Sequence, residues 1–146
     1  MYLPPPGFHF RVEVLGLPSA ADDLRFTEVG GLAVEVATEE MPEGGENRFV
    51  QRYPGRSKYA DLLLKRGLMT RSEVWNWVRQ CIEDLDVQPR DVDVTLLNDR
   101  HEPLLVWHVV GAFPVKWSVS DLSASANAFV VESLQLAYRY FRVDAP

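Results

Sequence analysis

The residue types best suited to catalysis in this chain of 146 residues are a single cysteine and three histidines. Cys81 with His101 or His108 could act as a nucleophile and its base, because imidazole can accept the thiol proton. A structural role explains Cys81 and His108 better than catalysis does. Cys81 falls on the apolar side of a predicted helix, where cysteine usually packs as a small core residue, and His108 lies within a long apolar strand pattern. The histidines also lack metal-ligand spacing, so we predict neither a nucleophilic centre nor a metal site.

Two other patterns could carry chemistry, and both favour structural explanations. Glu13, Glu35 and Asp93 alternate with apolar residues, which is typical of the exposed face of a sheet and not of paired catalytic carboxylates. The "EGGEN" segment at 43–47 has two glycines but lacks the lysine of a phosphate loop and does not open a helix. Its composition is typical of a hairpin tip. We therefore predict no enzyme and no bound cofactor.

A cluster of basic residues is the most unusual local feature of the chain. Arg52, Arg56, Lys58, Lys65 and Arg66 lie close together, although the net charge of the chain is −6. The acidic balance argues against a general nucleic-acid binder, whose surface would be basic. Two alternatives stay open from the residues alone: a solvated basic face, or a surface that meets acidic groups of another molecule.

Composition is that of an ordinary globular chain, with 47% hydrophobic and 25% charged residues. We expect one domain over residues 1–146, with an extended arm at 1–7 because prolines occupy positions 4–6. A lone cysteine excludes an internal disulfide, and no run approaches the ~20 apolar residues of a membrane span. The start "MYLPPPGFHF" lacks the basic start and apolar core of a signal peptide, which predicts synthesis in the cytoplasm.

Alternating apolar residues predict a chain made mostly of strands. One strand face should carry Phe8, Phe10, Val12 and Val14, and another should carry Leu32, Val34 and Val36. Further strand patterns cover 47–53, 59–66, 91–98, 104–119 and 129–143, although a helical reading of part of the last segment stays open. Gly111 and Pro114 interrupt the 104–119 segment and predict a bulge or corner there. The fold class expected is mainly β: a small β-barrel of two packed antiparallel sheets, with one flanking helix and a long projecting hairpin loop.

The helix is predicted over residues 71–85. Thr70 and Glu73 match a capping box, in which each side chain accepts a hydrogen bond from a free backbone N–H. Val74, Trp77, Cys81 and Leu85 recur at helical spacing and should face the core. Trp75 should then lie on the other side of the helix.

Several segments together resemble the tail-tube proteins of contractile phages and of phage-derived contractile injection systems. They are "FRVEVLGL", "FTEVGGLAVEV", "EGGENRFVQRYPGRSKYADLLLKRGL", "VWNWV", "DVDVTLLND", "VWHVVGAFPVKWSVSDLSASAN" and "VESLQLAY". The most specific part is the series EGG-x-N, PG-x-x-KY, KRGL and A-x-PVKW. The resemblance covers roughly residues 8–138, in matching order and spacing.

The resemblance implies a structural subunit of the inner tube of a contractile injection apparatus. Its expected partners are five further copies in a hexameric ring, the neighbouring rings of the tube, and the surrounding sheath. Residues 40–59 would form the loop that projects to a neighbouring ring, with a turn at Pro54-Gly55. The expected inter-subunit contact residues are Glu43, Gly44, Gly45, Asn47, Arg52, Pro54, Gly55, Lys58, Tyr59, Lys65, Arg66 and Trp75.

Both ends of the chain depart from the bulk tube subunits of this family. They are richer in aromatic residues and resemble the minor paralogue that forms the first ring on a baseplate. The residues expected to face a baseplate hub or spike protein are Tyr2, Pro5, Phe8, Tyr138, Tyr140 and Phe141. The alternatives are a bulk tube subunit, a ring protein of a type VI secretion system and, less favoured, a ligand-binding barrel or enzyme. The protein would be made in a bacterial cytoplasm and assembled into a phage tail or released particle, with a luminal cargo that the residues do not identify.

Overall fold

The computed structural model of the protein describes residues 9–17, 26–41, 51–69, 71–124 and 130–145. This part of the chain contains nine strands and one helix. In chain order they are β1 (His9–Val14), β2 (Glu28–Gly30), β3 (Val34–Met41), β4 (Gln51–Tyr59), β5 (Leu62–Gly67), α1 (Glu73–Ile82), β6 (Arg90–Leu97), β7 (Pro103–Val119), β8 (Val131–Ala137) and β9 (Tyr140–Asp144).

Seven strands are joined by antiparallel pairing: six follow the order β1-β6-β7-β8-β5-β2, and the seventh, β9, pairs with β7 beside that path. The first half of β7 pairs with β6 and β9, while its second half pairs with β8. We call β1, β6, the first half of β7 and β9 the first sheet. The second half of β7 with β8, β5 and β2 is the second sheet. The prediction of a mainly β fold with two antiparallel sheets and one helix is confirmed.

The predicted break in the long apolar segment is the corner at which β7 passes from one sheet to the other. Gly111 has φ +68° at this corner, and a Cβ there would lie 2.9 Å from Cδ of Arg139. A side chain would therefore be strained by both backbone and space. The ladder with β8 slips between Pro114 and Lys116, which gives the predicted bulge.

The core lies between the inner faces of the two sheets. Alternate residues of each strand point inward, such as Val12 and Val14 in β1 and Leu62 and Leu64 in β5, and all four are buried. This is the period of two expected for half-buried strands. Phe10 packs against the same core and confirms its predicted face, while Phe8 lies outside the described residues.

The predicted barrel does not close among the described residues. β1 and β2 end the two sides of the strand path and form no ladder with each other. Phe10 of β1 and the residues of β2 line a shared pocket of about 360 Å³.

Helix α1 is shorter than predicted. Ser72 is its N-cap, with its hydroxyl accepting from the backbone N–H of Trp75 at 3.3 Å, whereas the predicted cap Thr70 lies outside the described residues. Val74, Trp77 and Cys81 are buried as predicted. Leu85 was wrongly assigned to the core: it follows the helix at φ +55° and is 81% exposed.

Two strand predictions differ from the structure because they depend on contacts between distant segments. The described residues of the predicted strand 129–143 form neither one strand nor a helix but two strands, β8 and β9, which pair with different halves of β7. Val34 and Val36 alternate as core residues would, yet they are 48% and 51% exposed. They belong to a two-stranded ladder of β3 and β4 that stands outside both sheets.

Candidate assembly surfaces

The β3–β4 hairpin forms a two-stranded ladder of its own, apart from the two sheets that enclose the core. Its register runs from Val34 opposite Tyr59 to Met41 opposite Gln51. Residues 52–58 of β4 are all exposed. At its base, Gly31 has φ +84°, and a Cβ there would overlap the carbonyl oxygen of Asp61. A glycine is therefore required where the chain leaves the second sheet for the hairpin.

The predicted turn at Pro54-Gly55 is wrong. Both residues lie within β4, and Pro54 pairs with Thr38. The register shifts between Val36 and Thr38, so the irregularity is a bulge inside the strand and not the reversal of the chain. Proline and glycine occur in β-bulges as well as in turns, so the sequence pattern alone did not distinguish the two.

The basic residues of the hairpin remain on the surface. Arg52 lies 3.9 Å from Glu40 across the ladder, and both side chains are more than 60% exposed. Lys58 lies opposite Glu35 in the register. Exposed pairs of this kind contribute only ~0–1 kcal/mol to stability, so these charges are available for an intermolecular contact.

Part of the predicted contact set lies outside the described residues. These are Glu43, Gly44, Gly45 and Asn47 in the hairpin connection, and Tyr2, Pro5 and Phe8 in the N-terminal segment. Their assignment stays a prediction from the sequence.

Lys65 and Arg66 are adjacent in sequence but lie on opposite faces of β5. Lys65 points outward, with Nζ 3.8 Å from a carboxylate oxygen of Glu28 on the neighbouring strand β2. Arg66 points inward and is 2% exposed. Arg66 must therefore be removed from the predicted surface contacts.

The guanidinium of Arg66 is used inside the subunit. Its Nε donates to Oε1 of buried Glu132, and a second nitrogen donates to the Ser72 hydroxyl at 2.8 Å. Its central carbon also lies 4.9 Å from the ring centre of Phe26. Buried charges need such partners, and the contact to Ser72 ties the second sheet to the N-cap of α1.

Three aromatic rings meet at the base of the hairpin. Tyr59 of β4 makes edge-to-face contacts with Tyr138, with ring centres 5.9 Å apart, and with Phe141, at 5.0 Å. Tyr138 and Phe141 also pack against the core. Two predicted baseplate residues and one predicted contact residue thus share one intramolecular cluster, whereas Tyr140 is only partly buried beside Arg142.

The environment of this cluster raises the pKa of Tyr138 above its ordinary value of 10.0. Burial is the main cause, and the nearby Asp61 carboxylate and Tyr59 add to it by disfavouring a phenolate. The Tyr138 hydroxyl is buried without a hydrogen-bond partner among the described residues. The folded subunit therefore favours the neutral form of the Tyr138 side chain.

Trp75 lines an apolar groove at the end of the second sheet that lies away from the hairpin base. Its ring meets Trp117 of β7 edge to face, with centres 5.7 Å apart, and the guanidinium of Arg79 covers it at 4.2 Å. The groove has a volume of about 590 Å³. Its lining residues are Leu68, Met69, Trp75, Trp117, Val119, Ser120, Asp121 and Leu122. We call this surface the tryptophan groove.

The residues considered for catalysis have structural surroundings. Cys81 is buried in the core. On the outer face of the first sheet, Nδ1 of His108 lies 2.8 Å from Asp93 and Nε2 lies 3.1 Å from Asp144, so the ring bridges β6, β7 and β9. In the ranges the structure describes, no group of three or more His, Cys, Asp or Glu residues could hold a metal ion.

Sequence reasoning missed two contributors to these surfaces. Glu132 shares the inner face of β8 with Leu134 and Leu136, so its spacing alone could have revealed a buried charge. Trp117 completes the tryptophan groove, but no local signal connects it to Trp75. No helix in the described part of the chain is both long and apolar enough to span a membrane.

Comparison with known proteins identifies relatives of this architecture. The family model described as T4-like virus tail tube protein gp19 matches residues 6–142. A chain in the baseplate of the anti-feeding prophage is 26% identical over 99% of this chain and 98% of its own, with TM-score 0.86. A chain in the sheath-tube complex of an extracellular contractile injection system, PVC, is 26% identical over 98% and 93%, with TM-score 0.81.

More distant structures share the fold alone. A type six secretion system protein superposes with TM-score 0.63 at 10% identity, covering 94% of this chain and 83% of its own. A search of curated protein sequences returned no match. The matched family is one of tail tube proteins and not of enzymes, and the two near structural relatives come from a baseplate and from a sheath-tube complex.

Proposed function

Because the chain belongs to the T4-like tail tube protein family and is a tube protein of contractile injection systems, we propose that it forms a hexameric ring, the first ring of the tube on its baseplate. The family match over residues 6–142 carries the tube assignment. The likeness over nearly the whole chain to a chain from a baseplate structure supports the position next to a baseplate. The aromatic ends of the chain are the second support.

In this proposal the second sheet lines the lumen of the ring. β2 and the second half of β7 form the two edges of this sheet, and the outer side of each lacks a pairing strand among the described residues, so copies can join edge to edge into a continuous wall. Contacts between such unlike edges are head-to-tail and form a ring when the rotation between copies closes. The outer face of the sheet is polar and shallow, and it carries Leu63, Lys65, Lys116, Ser118, Ser133 and Gln135.

The hairpin provides the contact between rings. Its valines and basic residues are exposed, and beyond the aromatic cluster at its base its ladder is separate from both sheets. Residues Arg52, Pro54, Gly55 and Lys58 would meet the neighbouring ring, while Tyr59 fixes the direction of the hairpin from its base. Charges at such a rim set register and specificity more than affinity.

The baseplate side of the ring contains the aromatic ends of the chain. Tyr140 is the best described candidate, because Tyr138 and Phe141 already pack within the subunit. Tyr2, Pro5 and Phe8 complete this surface as sequence-based assignments. The further partners are the spike or hub of the baseplate and the surrounding sheath. The subunit is made in a bacterial cytoplasm and assembles into a phage-tail-like or extracellular injection particle.

Electron microscopy and co-purification test this function. Purified protein should form rings. A variant that lacks residues 2–6, and separately the Tyr140→Ser variant, should still form rings but should no longer co-purify with baseplate proteins. The matched control is Val143→Ser, an exposed residue on the other face of β9. Long tubes formed by this chain alone, with normal baseplate binding by both variants, would identify a bulk tube subunit instead.

A further inference from the structure

One histidine on the outer face of the first sheet makes more polar contacts than a neutral imidazole can satisfy. Nδ1 of His108 lies 2.8 Å from a carboxylate oxygen of Asp93, and Nε2 lies 3.1 Å from a carboxylate oxygen of Asp144. A neutral imidazole has a single N–H, so one of these two contacts would bring lone pairs together. The imidazolium has an N–H on each ring nitrogen and donates to both carboxylates.

The two carboxylates belong to the strands on either side of β7. Asp93 of β6 lies directly opposite His108 in the ladder. Asp144 is the last residue of β9 and lies opposite Val106, two residues before His108 on the same face of β7. Among the described residues β9 pairs with β7 alone, so the contact at Nε2 adds to its one ladder and to the packing of Phe141. We call His108, Asp93 and Asp144 the histidine clasp.

The charged groups on this face of the first sheet are mostly acidic. By strand alternation the titratable and charged residues that share the face with His108 are Arg11 and Glu13 on β1, Asp91 and Asp93 on β6, and Tyr140, Arg142 and Asp144 on β9. Arg11 lies 3.3 Å from Glu13, and the guanidinium of Arg142 lies 5.7 Å from the ring centre of Tyr140. The described strands thus place more carboxylates than guanidiniums around His108, so a proton on its ring reduces an excess of negative charge.

We propose that His108 is a proton-dependent clasp of the last strand. The charged ring holds β9 and β6 from its two nitrogens, and the neutral ring keeps only one of these hydrogen bonds. The clasp is therefore complete on the acidic side of the imidazole titration and weakens as the pH rises. Because Tyr140 lies on β9, the clasp also sets how firmly the proposed baseplate residue is held, and this consequence alone rests on the proposed function.

Hydrogen exchange of the full chain tests the clasp. The protection factors of the β9 amides should fall by about tenfold, the value of one hydrogen bond to a charged group. The fall should occur between about pH 5 and about pH 8, where imidazoles ordinarily change charge. Strand β1, at the opposite edge of the first sheet, is the internal reference and should keep its protection. His108→Gln should abolish the pH dependence.

Asp144→Asn distinguishes a proton-dependent clasp from an ordinary structural contact. The introduced amide can donate to the bare Nε2 of a neutral ring while Nδ1–H donates to Asp93, so β9 should stay protected at every pH. The matched control is His101→Gln, which removes a histidine stacked on His9 in the β6–β7 turn and should keep the wild-type pH dependence.

Two results would overturn the clasp. One is β9 protection that does not change with pH in the wild type. The other is an equal change in the His108→Gln or Asp144→Asn variant. Either result leaves the tube function standing, whereas failure of the wild-type protein to form rings would overturn the proposed function and not the clasp.

Discussion

At the scale of single residues, the side chain that departs furthest from its expected role is Arg66. Its neighbour Lys65 has the same charge but lies outside, and the difference is set by the alternation of β5. Burial makes Arg66 dependent on Glu132, whose second carboxylate oxygen has no partner in the described part of the chain. The stability of the fold therefore depends on the Arg66–Glu132 pair and not on Lys65.

Removing one member of the buried pair should destabilise the subunit strongly. Arg66→Ala leaves the Glu132 carboxylate buried without its cation and should lower the free energy of unfolding by about 3–5 kcal/mol. Lys65→Ala, which removes a half-exposed pair with Glu28, should change it by ~0–1 kcal/mol. Urea denaturation of the three proteins measures both values. Equal losses would show that Arg66 is not buried as described.

Tyr138 should make the subunit sensitive to alkali. Its pKa is higher in the folded state than the ordinary value of 10.0, so the folded protein favours the neutral phenol. This stabilisation is complete below about pH 10 and is lost as the pH rises through the folded pKa, because the unfolded chain ionises first. Denaturation at successive alkaline pH values should show the loss, and Tyr138→Phe should reduce it. An unchanged pH profile in that variant would contradict the assignment.

At the scale of elements, we expect one face of α1 to serve folding and the other to serve assembly. Trp77 is 1% exposed, and its indole N–H donates to the Gln88 carbonyl at 2.8 Å. Trp77→Ala should therefore cost ~3–5 kcal/mol of stability. Trp75→Ala should leave a folded subunit with weakened tube assembly. Denaturation and electron microscopy distinguish the two, and unfolding by Trp75→Ala alone would reverse the assignment.

The hairpin should be dispensable for folding. Deleting residues 43–52 removes its connection and the start of β4, but no residue of the core cluster. The unfolding transition should stay close to that of the wild type, since chain segments outside the core tolerate change. Rings should form without stacking. Normal stacked tubes from the deletion variant would rule out the hairpin as the contact between rings.

At the scale of the whole molecule, the two sheets should meet different environments in a tube. Ser133→Cys lies on the outer face of the second sheet and should be protected from a bulky maleimide-polymer reagent once tubes form, because the reagent cannot enter the lumen. The same variant should react as a free subunit. Equal labelling in both states would place the second sheet on the outside of the tube. Arg142→Cys, on the outer face of the first sheet, serves as the comparison.

The sequence by itself determined the strands with regular alternation, the inward side of α1 as far as Cys81, and the corner of β7. Each of these depends on the period of two or of 3.6 residues, or on a glycine and a proline at fixed positions, which are local properties. The motifs of the tube family also determined the class of protein, because they follow one another over most of the chain.

Only the tertiary structure decided which apolar faces find a partner. Val34 and Val36 have the same pattern as Val12 and Val14, but their strand pairs with β4 alone and no second sheet covers it. The division of 129–143 into β8 and β9, the burial of Arg66 and the meeting of Trp75 with Trp117 likewise depend on residues far apart in sequence. Pairing between distant segments, and not local periodicity, fixes whether an alternating strand builds the core or is left exposed for another copy.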